Sequence, residues 1–160
     1  MADKSIIQPF PAPAFSLTDP AGKSYALEDL KGTWSLLVFF PGMQQKMSVR
    51  LACAYREHWA RFHALGVSIW GIWAENREVT AAFSRRFSLP FPVLMDESRV
   101  VIRAYSAWVP PSGKQGRWNG VVPTVALIAS DGFVQRHWIK VHKGEQNPLQ
   151  VLEALDTHLQ

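Results

Sequence analysis

The chain has 160 residues, of which 48% are hydrophobic, 12% aromatic and 19% charged, a balance that excludes a disordered or fibrous protein. This length predicts a single domain over residues 1–160, able to bury about 70% of its unfolded surface without a disulfide or metal staple. The net charge of +4 is spread along the chain rather than gathered in a basic run, so no nucleic-acid partner is expected.

Residues 1–15 read as a Pro-rich lead-in. Ile6-Ile7, followed by Pro9, Pro11 and Pro13, is too short and broken for a signal-peptide core. No apolar run approaches the roughly 20 residues of a membrane span. A cytoplasmic protein with no membrane association is therefore expected. Asp19-Pro20-Ala21-Gly22 reads as a turn and Ser24 to Leu27 as a short strand. Glu28 to Gly32 reads as one helical turn. The apolar run Trp34 to Phe40 suits a central strand covered on both faces, ended by Pro41-Gly42.

From Met47 to Leu65 the period is helical. Leu51, Tyr55, Trp59, Phe62 and Leu65 share one face, and Val49, Cys53, Arg56 and Ala60 fall opposite. Val67 to Trp73 reads as a second buried strand, and Asn76 can cap a helix reaching Phe87. Leu89 to Met95 reads as extended, Glu97 to Tyr105 as a short helix and residues 106–120 as a long loop. Thr124 to Ala129 and Phe133 to Lys140 flank the turn Ser130-Asp131-Gly132 as a hairpin, and Pro148 opens a last helix. Alternating strands and helices closed by a hairpin and helix predict an α/β sandwich with a mixed sheet.

Cys53 is the only cysteine, which excludes an intramolecular disulfide, a Cys-x-x-Cys pair and a multi-cysteine zinc site. His58 and His63 diverge around a helix, and His137 and His142 point to opposite faces of a strand. No metal site follows, and no glycine motif for a nucleotide cofactor occurs. Trp34, Trp70 and Trp73 belong to strand patterns and are expected in the core. Trp108 and Trp118 lie in the long loop, where they either seal a pocket or offer an apolar contact surface.

Phe10-Pro11-Ala12-Pro13-Ala14-Phe15-Ser16-Leu17-Thr18-Asp19, Gly22-Lys23, Leu27 to Gly32 and Leu37-Val38-Phe39-Phe40-Pro41 resemble the opening of a peroxiredoxin. The nearest branch is that of the bacterioferritin comigratory protein within the alkyl hydroperoxide reductase/thiol-specific antioxidant family. Leu89-Pro90-Phe91-Pro92-Val93-Leu94-Met95-Asp96, Leu127-Ile128 and Asp131-Gly132 extend the likeness over roughly residues 10–155. The resemblance implies a thioredoxin-like fold, thiol-dependent peroxidase activity and a thiol reductant of thioredoxin type. A monomer or homodimer is expected.

The family's motif is Pro-x-x-x-Thr/Ser-x-x-Cys. Counted from Pro41, the hydroxyl position holds Gln45 and the peroxidatic position holds Ser48. Cys53 stands where some members carry a resolving cysteine. The family's arginine, counted back from Asp131-Gly132, falls on Pro123. A serine hydroxyl stays protonated and cannot form a sulfenic acid, so Ser48 reads as a helix N-cap rather than a nucleophile. Arg50 and Arg56 flank Cys53 at helical spacing and would favour its thiolate. The bland alternative for Cys53 is a small side chain filling space under the long loop. Two functions therefore stand side by side: a peroxidase using Cys53, or a non-catalytic peroxiredoxin-like protein that binds a partner through the former pocket. Val122-Pro123-Thr124 also resembles the segment that carries a cis proline in thioredoxin-like oxidoreductases, which predicts a cis bond at Pro123.

Overall fold

Strand β4 (Ser35–Phe39) is fully buried along its length, and its side chains alternate between two separate cores. A computed structural model describes this protein over residues 3–43, 45–110 and 120–159. Leu36 and Val38 face one core, with Leu51 and Tyr55 of helix α1 (Lys46–Ala64), Phe83 of α2 (Arg77–Arg86) and Leu155 of α4 (Asn147–Leu159). Leu37 and Phe39 face the other, with Phe15, Tyr105 and Val101 and Ile102 of α3 (Val100–Ala104). A sheet buried on both faces needs a continuous apolar strand, and the Trp34–Phe40 run supplies one.

Among the described residues the eight strands are β1 (Ile6–Pro11), β2 (Ser16–Thr18), β3 (Ser24–Ala26), β4, β5 (Ser68–Trp73), β6 (Val93–Met95), β7 (Thr124–Ile128) and β8 (Phe133–Ile139). They lie in the order β1-β8-β7-β4-β5-β6-β2-β3. β4, β5 and β6 run parallel, while β7 lies antiparallel to both β4 and β8. The sheet is mixed and flanked by helices on both faces, as the element order predicts.

The lead-in departs from its sequence reading. Ile6–Pro11 is a strand paired to β8, although two of its residues are prolines. Proline is tolerated there because an edge strand leaves some N–H positions unpaired. The extended stretch expected from Leu89 is a strand only over Val93–Met95, and the helix expected from Glu97 begins at Val100. Asp96 sets that start: its carboxylate accepts the Ile102 N–H at 2.7 Å. Among the described residues no peptide bond is cis, so the expected cis bond at Pro123 is corrected to trans. Trp70 and Trp73 are core residues as expected, while Trp34 is half-buried beside the His158 ring. Leu65 lies beyond the end of α1 and is exposed, not part of its buried stripe.

Candidate functional site at the start of helix α1

The chain leaves β4 through Phe40, whose N–H still pairs with the Ile72 carbonyl at 3.0 Å. Pro41 and Gly42 follow, both buried, and Gly42 takes φ +132°, a conformation side chains strongly resist. That turn aims the chain at α1. The helix N-cap is Gln45, which is extended and makes no side-chain capping bond. Ser48 is therefore not the cap that the sequence suggests. It sits three positions into the helix, fully buried.

The Ser48 hydroxyl is used in both directions. It donates to the Gly42 carbonyl at 2.5 Å and accepts the Gly42 N–H at 3.0 Å. The Gln45 N–H also donates to the Gly42 carbonyl at 3.2 Å. These bonds fasten the turn between strand and helix to the helix itself. A buried hydroxyl with a donor and an acceptor satisfied has no driving force to ionise, and among the described residues no base is bonded to it.

Pro123 lies one residue beyond Phe39–Thr124, the last β4–β7 pair. It is thus at the same end of the sheet as Pro41, half-buried, with its carbonyl accepting the Val141 N–H at 2.8 Å. The structure therefore brings Pro41, Gln45 and Ser48 into one turn, with Pro123 at the adjoining strand end. Gly42, the partner of Ser48, carries no chemistry in sequence beyond the strand-ending Pro-Gly pair.

Cys53 is set apart. Five residues of helix carry it about 7.5 Å along the axis and some 140° around it from Ser48. It is half-buried, on a different side of α1. Its two flanking cations already have partners. Arg50 approaches Glu145 at 3.6 Å, both side chains exposed. Arg56 donates to Glu57 at 2.6 Å and to the Phe87 carbonyl at 2.7 Å, closing the C-terminal turn of α2. The Arg56 guanidinium is held above its usual value first by the Glu57 hydrogen bond and then by the charge of the Cys53 sulfur. Cys53 and Arg56 are thus electrostatic neighbours.

The base of the long loop is zipped: Val109 N–H donates to the Gly120 carbonyl and Val122 N–H to the Ala107 carbonyl. Trp108 is half-buried over this base, packs on the core opposite α1 and carries the Arg103 guanidinium 4.4 Å from its ring centre. Trp118, Gly113 and Gly116 lie outside the described residues. Among the described residues no three His, Cys, Asp or Glu side chains gather to hold a metal ion. No helix among them is long and apolar enough to cross a membrane.

The sequence matches the AhpC/TSA family over residues 10–137. It is 29% identical to a putative peroxiredoxin, bcp, of Coxiella burnetii over 130 residues, 81% of this chain and 86% of that protein. It is 31% identical to the chloroplastic peroxiredoxin Q of Sedum lineare over 145 residues, 91% of this chain and 75% of the relative. Among solved structures, BcpB from Mycobacterium tuberculosis superposes with a TM-score of 0.83 at 20% identity, covering 95% of this chain and 97% of that one. The bacterioferritin comigratory protein of Xanthomonas campestris gives 0.82 at 22% identity, covering 91% and 92%. These likenesses show a thioredoxin-like fold of peroxiredoxin type.

Proposed function

Because the chain belongs to the AhpC/TSA family, we propose that it is a cytoplasmic thiol-dependent antioxidant protein in which Cys53 carries the sulfur chemistry. The curated relatives named above are peroxiredoxins, and this chain has one sulfur nucleophile to do such work. The observation that carries the reading is a half-buried, unbridged Cys53 on α1, three residues before Arg56 on the same helix. The thiolate is the form in which a cysteine attacks peroxide.

The Cys53 thiolate attacks one oxygen of a hydroperoxide, the O–O bond breaks, and the alkoxide leaves and takes up a proton as the alcohol. Cys53 becomes a sulfenic acid. With no second cysteine in the chain, an external thiol, supplied by a small thiol or a thioredoxin-like reductant, condenses with it and releases water. A second reductant thiol then attacks the mixed disulfide, frees Cys53 and departs as the oxidised disulfide.

A specific observation favours a second reading. Ser48 stands at the family's peroxidatic position, fully buried and bonded to Gly42 in both directions. A chain built this way would be a non-catalytic peroxiredoxin-like protein that uses the former pocket for binding. Peroxide consumption with dithiothreitol or thioredoxin as reductant, measured for the parent and for Cys53→Ser, separates the two. Turnover lost in Cys53→Ser supports the first reading. A parent chain that is inactive supports the second.

A further inference from the structure

A groove of about 900 Å³, whose lining does not include Cys53, opens between the N-terminal segment, β8, the connection that follows it and α4. That volume is within the range of small-molecule sites. It is lined by the half-buried Trp138, which packs on the first core, and by Ser5, Asn147, Gln150 and Thr157. Lys4, Arg136, Lys140 and Lys143 stand around it, against only Asp3 and Glu153 of the opposite sign.

One acid is already matched. Arg136 donates to Asp3 at 3.2 Å and to the Ser5 hydroxyl at 3.1 Å, so this pair closes on itself. Lys4, Lys140 and Lys143 then remain against Glu153 alone, and among the described residues none of the three lysines is in an ion pair. Cations lining a concave wall focus a positive potential inward, where a negative ligand lowers it.

Lys140 adds an independent observation. It holds φ +58°, the left-handed region where glycine or asparagine is the ordinary choice. This residue turns the chain out of β8 and stands exposed on the groove rim. A long cation kept in a conformation that resists it is a feature found at binding sites, where the side chain matters more than the backbone fit.

We propose that this groove binds a small, multiply charged oxyanion, a molecule carrying phosphate or carboxylate groups, with Lys140 and Lys143 holding the charge and Trp138 offering an apolar contact. The site is separate from Cys53 and does not depend on peroxidase activity.

Titration calorimetry of the full chain with tripolyphosphate and, separately, with citrate tests it and identifies which oxyanion is taken. Saturable binding of at least one is expected, weakening as salt rises. Lys140→Gly removes the cation and relieves the backbone, so the variant folds at least as well while affinity falls roughly tenfold or more. Lys143→Glu should weaken binding similarly. Arg85→Glu with Arg86→Glu removes a basic pair on α2, away from the groove, and should change affinity little at moderate salt. Absence of saturable heat with both anions overturns the proposal. So does unchanged affinity in Lys140→Gly, or an equal loss in the α2 pair.

Discussion

The Tyr55 hydroxyl donates to the Asn147 side-chain carbonyl at 2.5 Å, joining the middle of α1 to the first residue of α4 across 92 positions of sequence. Both residues are fully buried, and Asn147 passes the network on to Gln150 at 3.2 Å. Burial pushes the Tyr55 phenol well above its ordinary value, which keeps it a neutral donor. Tyr55→Phe should lower stability by about 1–3 kcal/mol, because the Asn147 oxygen stays buried without its donor. Adding Asn147→Leu should cost less than the sum of the two single changes. Urea unfolding of the four proteins measures this, and strict additivity would show the bond to be energetically idle.

Ser48 lends itself to two changes with different outcomes. Ser48→Ala leaves the Gly42 N–H without its side-chain acceptor, a loss of about 1–3 kcal/mol in unfolding free energy. Ser48→Cys places a thiol at the helix start but supplies neither the hydroxyl nor the guanidinium of the family motif. Each such donor is worth about 10²–10³ in rate when it meets developing charge. On a Cys53→Ser background, Ser48→Cys alone should therefore give at most weak peroxidase activity, raised substantially by adding Gln45→Thr and Pro123→Arg, with folding checked by circular dichroism. A single variant as active as an ordinary peroxiredoxin would sink this account of the site.

Gly120 shows how closely Trp108 lies on the loop base. A Cβ at this position would overlap the indole Nε1, and the backbone there holds φ +86°. Gly120→Ala should cost upwards of about 1 kcal/mol from strain alone. It should also lift Trp108 off its core. A thermal melt records the first effect. A red-shifted tryptophan emission that disappears when Trp108→Phe is added records the second.

His137 makes stability depend on pH. Its ring is buried near Phe10, and burial lowers it from the usual 6.5. The unfolded chain therefore takes up the proton first. Stability from the neutral ring is fully present above pH 6.5 and is lost as pH falls below that value. Burial of Asp96 acts in the opposite sense nearer pH 4, where the folded state binds its proton first. His137→Gln should flatten the decline in melting temperature between pH 7 and pH 5. An unchanged slope would place the effect elsewhere, for instance at His158, which is lowered as well.

What could be read in advance followed from periodicity. The apolar run of β4, the 3.6-residue stripe through Leu51, Tyr55 and Phe62, and the Asn76 cap, which accepts the Val79 N–H at 2.9 Å, are local signals that packing leaves intact. β1 was hidden because Pro9 and Pro11 look like loop residues, and only the neighbouring β8 makes a strand of them. The Ser48 clamp was hidden for a related reason. A serine near a helix start reads as a cap, and its bond to Gly42 exists only once the turn after β4 has folded back on the helix. Motif spacing located the candidate positions, whereas the partners of each side chain depended on tertiary contacts.

The margins of the sheet bear on how copies of this protein meet. One margin is β1, where two of six residues lack the N–H that an incoming strand would need. The other is β3, three residues long and followed at once by a 3-10 turn. Neither margin offers a long run of unpaired backbone groups, so the sheet resists extension by a strand from another molecule. Association between copies would have to proceed through side chains on helices and loops, where a single charge reversal can tune it. Strand exchange and edge-to-edge aggregation are disfavoured from the outset.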